Sequence, residues 1–346
     1  MEKIKEIDYL RGVATLLVIL IHITSSCLTL PKDSLLYTVV GSFNCAITFA
    51  VPAFLFISAL VMTYKLKNTE KVNWIKFVLK KIFKVLSALI LWSVVYITFW
   101  EPNVELSLKK IIGYLCLGNA SYHLYFIPLI MQLYLIFPLI WFVAKKISKL
   151  KLNQILSFFI CITMGLILQS AFTIIFRLSI FKTFTHFASI IFSYTLPVTL
   201  GIWIGFNYNT LKSFYNNWFI FIVSLLTVFA GYRYVNLEFI NYTYTSTLLF
   251  SPVYWSLIIL TLVYLLRYIN RSIFLEEISK KSFIIYLAHP LVLSFLPNNF
   301  EISIFSSSSI NYIFMLLIKF IIALTASYLL AFCWYSVKKA IANKIH

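Results

Sequence analysis

Charged residues are scarce in this chain of 346 residues: Asp, Glu, Lys and Arg make up 12% of the sequence, and only 11 residues are acidic. Soluble domains carry about 25% charged residues, so a soluble globular protein is excluded. Glycine is also sparse, with 8 residues, and the sequence has no internal repeat. Both features disfavour the repeated, rocking helix bundles of many transporters. The GxSxG, Walker and HExxH motifs are missing, so no common hydrolase or nucleotide-binding signature is present.

Cysteine spacing predicts neither a disulfide framework nor a metal site. None of the five cysteines forms a CxxC pair or a Cys/His ligand pattern. Most lie in apolar segments, where they are expected to pack against neighbours: Cys27, Cys45, Cys116, Cys161 and Cys333. The first apolar stretch lacks a small-residue cleavage motif and is followed by further apolar stretches, so we expect a retained signal anchor.

Apolar residues dominate the sequence. Hydrophobic residues make up 61% and aromatic residues 18%, and the mean hydropathy is +0.92. This composition predicts an all-α polytopic membrane protein with a single domain over residues 1–346. About ten segments are long enough to span a membrane: 9–29, 39–64, 78–100, 122–144, 155–176, 187–207, 216–235, 245–267, 281–297 and 310–337.

The basic residues are distributed unevenly between the two sides of these spans. About 22 of the 29 Lys and Arg residues fall on the side that holds both termini, and about 6 on the other. The positive-inside rule therefore predicts that both termini are cytoplasmic. The net charge of +18 is spread over short loops between spans and forms no compact basic domain, so nucleic acid is not an expected partner.

An arginine and a histidine mark the first apolar stretch, Tyr9 to Ser26. If Arg11 lies at the membrane surface, eleven helical residues place His22 about 16 Å deeper, near the middle of the bilayer. An ionisable side chain at that depth is a functional-site hypothesis. The alternative is a structural histidine that hydrogen-bonds a neighbouring helix. This stretch alone does not decide between them.

Lysines cluster before the third span, where the loop from Lys65 to Lys84 carries seven of them. Lys80, Lys81 and Lys84 lie at the start of the span, and the spacing of Lys81 and Lys84 predicts a shared helix face. Such a face suits a polyphosphate ligand that arrives from the cytoplasm. Contact with anionic lipid is the alternative explanation of the same charge.

Aromatic and amide side chains gather in the loops of the opposite side. Tyr122 and His123 lie in one loop, and a second loop contains Arg233, Glu238 and Tyr242. Flat rings beside hydrogen-bonding groups are typical of sugar-binding surfaces, but interfacial aromatic residues also form the ordinary membrane belt. His289 precedes Pro290 within the ninth span, where the proline breaks a backbone hydrogen bond, so we expect His289 to line a cavity or to be structural.

Four sequence elements together resemble membrane acyltransferase family 3, whose members are ten-helix enzymes that O-acylate cell-surface glycans. The opening YLRGVATLLVILIH contains Arg11 and His22, and KKIFKVLSALILW is similar to the family's basic element, with Lys81 and Lys84 where arginines are usual. HLYFIPLIMQLYLIFPLI begins at His123, and ISKKSFIIYLAHPLVL contains His289. Lysine offers a point charge where arginine offers a bidentate fork. LGIWIGFNY and TYTSTLLFSP look most like the intercellular-adhesin branch.

The resemblance implies an O-acyltransferase of the bacterial cytoplasmic membrane. Such an enzyme moves an acetyl or succinyl group from cytoplasmic acyl-CoA to a hydroxyl of a surface polysaccharide, such as a biofilm exopolysaccharide. Acyl-CoA is then a substrate, and no bound cofactor or metal is expected. The expected partners are the polysaccharide or its lipid-linked precursor, and membrane lipids.

The residues fit such an enzyme as follows. His22 would act as the base or carry the acyl group, and Arg11 would hold a donor phosphate or the oxyanion. Lys80, Lys81 and Lys84 would bind acyl-CoA, whereas His123 and Tyr122 would orient the acceptor, with Arg233, Glu238 and Tyr242 also binding it. The alternative function is export of a polysaccharide such as poly-N-acetylglucosamine, because the intercellular-adhesin branch has been assigned either export or O-succinylation.

Overall fold

The regular elements of the computed structural model are helices. The structure describes residues 4–101, 103–149, 153–177, 191–214, 217–240, 244–296 and 309–345, and within these ranges the predicted all-α class is confirmed. The helices are α1 (Lys5–Thr24), α2 (Leu35–Ala46), α3 (Ala50–Leu66), α4 (Trp74–Trp100), α5 (Leu108–Leu117), α6 (Phe126–Lys149), α7 (Gln154–Arg177), α8 (Thr195–Phe214), α9 (Asn217–Val235), α10 (Tyr244–Tyr268), α11 (Ile273–Ser294) and α12 (Ser309–Ile345). Short 3-10 turns cover Ser25–Thr29 and Ile47–Phe49, and a π turn covers Asn236–Ile240.

Six stretches of the described chain are long and apolar enough to cross a membrane, so the protein is a multi-pass membrane protein. They are Lys5–Thr29, Leu35–Leu66, Trp74–Trp100, Phe126–Ser148, Phe250–Tyr268 and Ile310–Ile341. Shorter apolar helices cover Leu156–Ala171 and Phe221–Val235. A described helix also lies in each of the other predicted segments, and α11 falls outside the six because its first turns are charged. The count of ten spans and the cytoplasmic position of both termini stay predictions.

The second predicted span differs from a single straight helix. It consists of α2, a 3-10 turn at Ile47–Phe49 and α3. Pro52 lies in the first turn of α3 and has no N–H to donate to the carbonyl of Thr48, which favours a break at this point. In the 3-10 turn, the Thr48 hydroxyl donates to the carbonyl of Cys45, at 2.8 Å. The structure also adds α5, a short amphipathic helix that the sequence analysis treated as loop.

The helices form two compact units. The first contains Met1–Ala50, Tyr234–Tyr242 and Leu262–His346, and the second contains Val51–Arg233 and Thr243–Thr261. The first unit is therefore built mainly from α1, α2, α11 and α12, and the second from α3 to α9 with most of α10. Each unit draws on separate stretches of the chain. A single domain over residues 1–346 stays a prediction.

Close packing between α1 and α11 organises the first unit. A Cβ atom on Gly12 would lie 2.8 Å from the carbonyl oxygen of Leu275, so the two backbones meet where a side chain does not fit. Just before α11, the Tyr9 hydroxyl accepts a hydrogen bond from the Ser272 backbone N–H at 2.8 Å. Lys5 donates to the carbonyl of Ile269 at 2.8 Å. These contacts fix the start of α1 against the turn that leads into α11.

Replacing Gly12 with Ala is expected to destabilise the protein by about 1–3 kcal/mol, because the added methyl group pushes on a backbone carbonyl that cannot rotate away. Helix propensity alone predicts the opposite effect, a rise of about 1 kcal/mol in the free energy of unfolding. Gly113→Ala in α5 is the control, because its Cβ would meet only the Asn119 side chain at 3.5 Å. Thermal unfolding midpoints in detergent should fall for Gly12→Ala only; a higher midpoint for both would refute the close packing.

Candidate functional site

Two histidines meet in the first unit. His22, near the end of α1, stacks on His289 of α11, with ring centroids 5.2 Å apart and an angle of 29° between the ring planes. His289 is fully buried, and His22 is half-buried. The sequence placed both in apolar helices but gave no sign that they touch. Their contact brings two titratable nitrogen heterocycles together inside a largely apolar bundle.

The surroundings of His289 assign its tautomer. Its Nδ1 lies 3.3 Å from the carbonyl oxygen of Ile285, one turn earlier on α11. A carbonyl only accepts, so Nδ1 carries the hydrogen and a neutral ring has its lone pair on Nε2. Tyr286 adds a third ring, 5.9 Å from that of His289. Pro290 follows directly, but α11 continues through it to Ser294.

Further polar side chains surround the end of α1, close in sequence to His22. Asn44 of α2 donates to the Ile21 carbonyl and to the Thr24 hydroxyl, both at 2.7 Å. The hydroxyls of Ser26 and Tyr312 lie 2.8 Å apart and link the 3-10 turn to α12. Buried polar groups in a membrane protein need such partners. Asn44, Ser26 and Tyr312 were not among the predicted site residues, although an amide inside an apolar span is a usable signal.

Arg11 lies at the opposite end of α1 from His22. Its Nη1 is 3.1 Å from Oδ1 of Asp8, and both side chains are about one-third exposed. Because α1 is one continuous helix, Arg11 and His22 are separated by about 16 Å along its axis. An arginine side chain does not bridge that separation. The structure therefore places these two predicted site residues on one helix but does not bring them together.

The three lysines at the start of α4, in the second unit, have different surroundings. Lys81 is half-buried, with Nζ 5.8 Å from the ring centre of Phe77 and 5.5 Å from that of Tyr134 on α6. Lys80 and Lys84 are exposed. Three helical residues turn about 300°, so Lys84 is about 60° from Lys81 around the helix axis. Lys81 and Lys84 therefore lie on the same side of α4, as expected. Lys81 is the inner of the two and contacts the rings, whereas Lys84 is exposed.

Aromatic rings extend this lysine region along α4 and α6. The rings of Trp74 and Trp141 are 4.9 Å apart, and Phe137 lies 6.2 Å from Trp74. Lys145 places its Nζ 4.4 Å from the centre of the Trp141 ring and donates to the Thr69 carbonyl at 3.0 Å. Rings and ammonium groups in alternation attract each other. Phe137 and Trp141 are buried, whereas Trp74 is half-buried and keeps part of its ring accessible. Lys81 was predicted from the sequence, but the rings around it were not.

The second unit holds another aromatic group around His123. The Tyr122 and Trp100 rings are nearly parallel, at 13°, with centroids 6.2 Å apart. Tyr122 is 55% exposed, whereas His123 is 1% exposed and has Nδ1 2.8 Å from the Ser121 hydroxyl. The ring of Tyr96 lies 5.1 Å from that of His123. Tyr122 is therefore accessible to a large ligand, and the buried His123 ring packs against it.

The remaining predicted acceptor residues are not gathered into one site by the described part of the chain. Arg233 is exposed, with its guanidinium carbon 5.9 Å from the ring centre of Phe250. Glu238 lies in the π turn, and its side chain is outside the described residues. Tyr242 also lies outside them. Within the described ranges, no three His, Cys, Asp or Glu side chains are close enough to hold a metal ion.

Comparison with known proteins gives one family and one set of relatives. A family model described as an acyltransferase domain matches residues 4–332. Proteins from Staphylococcus aureus strains MSSA476, MRSA252 and N315 are each 26% identical over 335 residues, which cover 91% of this chain and 91% of theirs. All three are named "Probable poly-beta-1,6-N-acetyl-D-glucosamine export protein". No solved structure matches the chain.

Proposed function

Because the chain belongs to the acyltransferase family whose domain model covers residues 4–332, and is therefore an acyltransferase, we propose that it transfers an acyl group from cytoplasmic acyl-CoA to an extracytoplasmic polysaccharide. The acyl group is acetyl or succinyl, and the membrane is the cytoplasmic membrane of a bacterium. The substrate class is supported by the polysaccharide in the names of the Staphylococcus aureus relatives. The observation that carries the mechanism is the contact between His22 and His289.

The reaction needs a base within the membrane. The thioester C–S bond of the donor breaks, an ester C–O bond forms at the acceptor, and the hydroxyl proton ends on the released CoA thiol. Donor and acceptor lie on opposite sides of a hydrocarbon layer about 30 Å thick. His22, which α1 carries into that layer, either takes the hydroxyl proton or carries the acyl group on a ring nitrogen. Both routes give the His22 ring a positive charge.

His289 suits the role of stabilising that charge. A neutral imidazole stacked on a cationic ring presents its π face to it, and the interaction strengthens when water is excluded. At 5.2 Å, two charged rings would repel each other, so His289 stays neutral while His22 is charged. Its Nδ1–H bond to Ile285 fixes the neutral tautomer. We therefore assign His289 as a positioning and charge-stabilising residue and His22 as the catalytic residue.

Replacing His289 with Gln is expected to lower kcat about tenfold while leaving KM for the donor unchanged, because the π face beside the charged intermediate is lost. His289→Phe keeps a ring face and should retain more activity than Gln. Ser282→Ala, a buried change on the same helix, serves as the control. If Gln and Phe lose equal activity in proportion to their loss of folded protein, His289 is only a packing residue.

The lysines and Arg11 are assigned to the donor. CoA carries several phosphates, and Lys81 offers a cation that aromatic rings already hold in place. Trp74, which is half-buried, offers a ring face for its purine ring. Lys80 and Lys84, which are exposed, add charge at the entrance. The distance of about 16 Å between Arg11 and His22 favours a donor phosphate over the oxyanion as the group that Arg11 holds.

The acceptor is assigned to the aromatic group of α4 and the loop before α6. Tyr122 and Trp100 form a flat, partly exposed surface of the kind on which sugar rings stack. His123 orients Tyr122 through ring contact at 5.6 Å. Arg233, Glu238 and Tyr242 remain proposed acceptor residues.

Export is the alternative function, favoured by the names of the relatives. The acyltransferase and exporter functions can be distinguished in a strain from which the gene has been deleted and to which it is returned on a plasmid. We expect the wild type to place ester-linked acyl groups on surface polysaccharide, as measured by mass spectrometry before and after mild alkali, with polysaccharide quantified separately. Surface polysaccharide that depends on the protein but never carries an acyl group would support the exporter.

A further inference from the structure

A groove lies in the second unit, between α6, α7 and α8. Its walls are the last part of α6, the first half of α7 and the middle of α8. α7 packs along α8, and α8 contacts α6, whereas α6 and α7 make little contact with each other in the described residues. The groove therefore has α8 as its floor and is open along one side. None of the sites assigned above uses it.

Polar side chains concentrate at one end of the groove, although the Thr199 hydroxyl, which donates to the Leu196 carbonyl, lies deeper. Ser148, Gln154 and Asn207 lie at the end where α6 stops and α7 starts, whereas Met164 and Ile202 line the deeper part. From Gln154 to Met164 the helix rises about 15 Å, which is half the thickness of a hydrocarbon core. The groove thus has the length of one leaflet, with a polar mouth and a mostly apolar interior.

Positive charge lies at the polar end. Lys146 is exposed in the last turn of α6, at the level of Ser148 along the helix, and Lys145 precedes it with its Nζ bound to the Thr69 carbonyl. In the predicted topology this end faces the cytoplasm. None of the described lining residues is acidic. A molecule that combines a long alkyl chain with a phosphate would match both the charge and the shape.

We propose that this groove binds one acyl chain of an anionic phospholipid from the cytoplasmic leaflet. The chain lies against Met164, Ile202 and Trp203, and the phosphate lies near Lys146, within reach of the amides of Gln154 and Asn207. Such a lipid would fill the space between α6 and α7, which do not pack on each other. The proposal does not depend on the acyl transfer reaction.

Trp203 is the natural probe, because it lines the groove with its Nε1 bonded to the Ser157 hydroxyl at 3.0 Å. Its emission is obtained as the difference between the wild type and Trp203→Phe in nanodiscs that contain brominated phosphatidylglycerol or brominated phosphatidylcholine. We expect the mole fraction of lipid that quenches half of the Trp203 emission to be about fivefold lower for brominated phosphatidylglycerol than for brominated phosphatidylcholine. Trp92 of α4, which lies away from the groove, should be quenched equally by both. Equal quenching of Trp203 by both lipids, or none, would overturn the proposal.

Cys161, which also lines the groove, gives a second measurement that keeps Trp203 intact. In a variant in which the other four cysteines are replaced by Ala, phosphatidylglycerol should slow maleimide labelling of Cys161 about fivefold more than phosphatidylcholine does. A variant that keeps only the exposed Cys116 should show no difference between the lipids. Lys146→Gln should abolish the protection, whereas Lys76→Gln on α4 should not. Labelling of Cys161 that is independent of the lipid would refute the assignment.

Discussion

Replacing His22 with Asn is expected to lower the acyl transfer rate by a factor on the order of 10² to 10⁴ while the protein remains folded and inserted. Asn is polar and of similar size, so it can keep an interhelical hydrogen bond, but it neither titrates near neutral pH nor carries an acyl group. A structural histidine would behave differently, because the loss of one such bond costs only about 1 kcal/mol of stability. The size of the rate loss therefore separates the two roles.

The measurement compares kcat for the wild type and His22→Asn at matched amounts of folded protein. Thr15→Val is the matched control: Thr15 is buried on the same helix, and its hydroxyl bonds only to the Arg11 carbonyl one turn earlier. The control should retain normal kcat. A base must be neutral to accept a proton, so wild-type kcat should also fall as pH is lowered. Normal transfer by His22→Asn would eliminate His22 as the catalytic residue.

Replacing Lys81 and Lys84 together with Gln is expected to weaken acyl-CoA binding by about 1–3 kcal/mol, which corresponds to a 5- to 150-fold rise in KM for the donor. KM for the acceptor should not change. Of the two single variants, Lys81→Gln should account for most of the loss, because the rings of Phe77 and Tyr134 hold its ammonium group in place and exclude water from one side. Lys81→Arg should preserve binding, since it keeps the cation.

Lys76→Gln is the control for this prediction, because Lys76 is an exposed lysine one turn before Lys80 on the same helix. Calorimetric titration with CoA should give the wild-type affinity for Lys76→Gln and a lower affinity for the double variant. If the double variant binds CoA normally, the lysines contact anionic lipid, which was the alternative explanation of their charge.

The fold was predictable in outline because composition and hydropathy report directly on the membrane. The all-α class followed from long apolar runs, and a described helix lies in each predicted segment. The break between α2 and α3 was harder to predict, since Pro52 is tolerated in the first turn of a helix and does not by itself require a break. The contact between Gly12 and Leu275 was also hidden, because one glycine in an apolar run does not reveal its partner.

The candidate site was predictable residue by residue but not as an arrangement. His22 and His289 each drew attention as ionisable groups in apolar segments. Their stacking depends on how α1 packs against α11, and local sequence does not encode that pairing. The spacing of Lys81 and Lys84 predicted a common face, but the orientation of α4 against α6 decides which lysine meets the rings. Asn44 and Tyr312 were missed because polar groups far apart in sequence become a cluster only after folding.

Acyl transfer across a sealed membrane is the decisive measurement of the proposed reaction. Proteoliposomes would hold an oligosaccharide acceptor inside and receive radiolabelled acyl-CoA outside, with the protein oriented so that its lysine-rich loops face the donor. We expect an alkali-labile label on the enclosed oligosaccharide, produced by the wild type and by Thr15→Val but not by His22→Asn. Movement of unlabelled oligosaccharide across the membrane, with no label on it in any preparation, would show that the protein is an exporter and not the proposed enzyme.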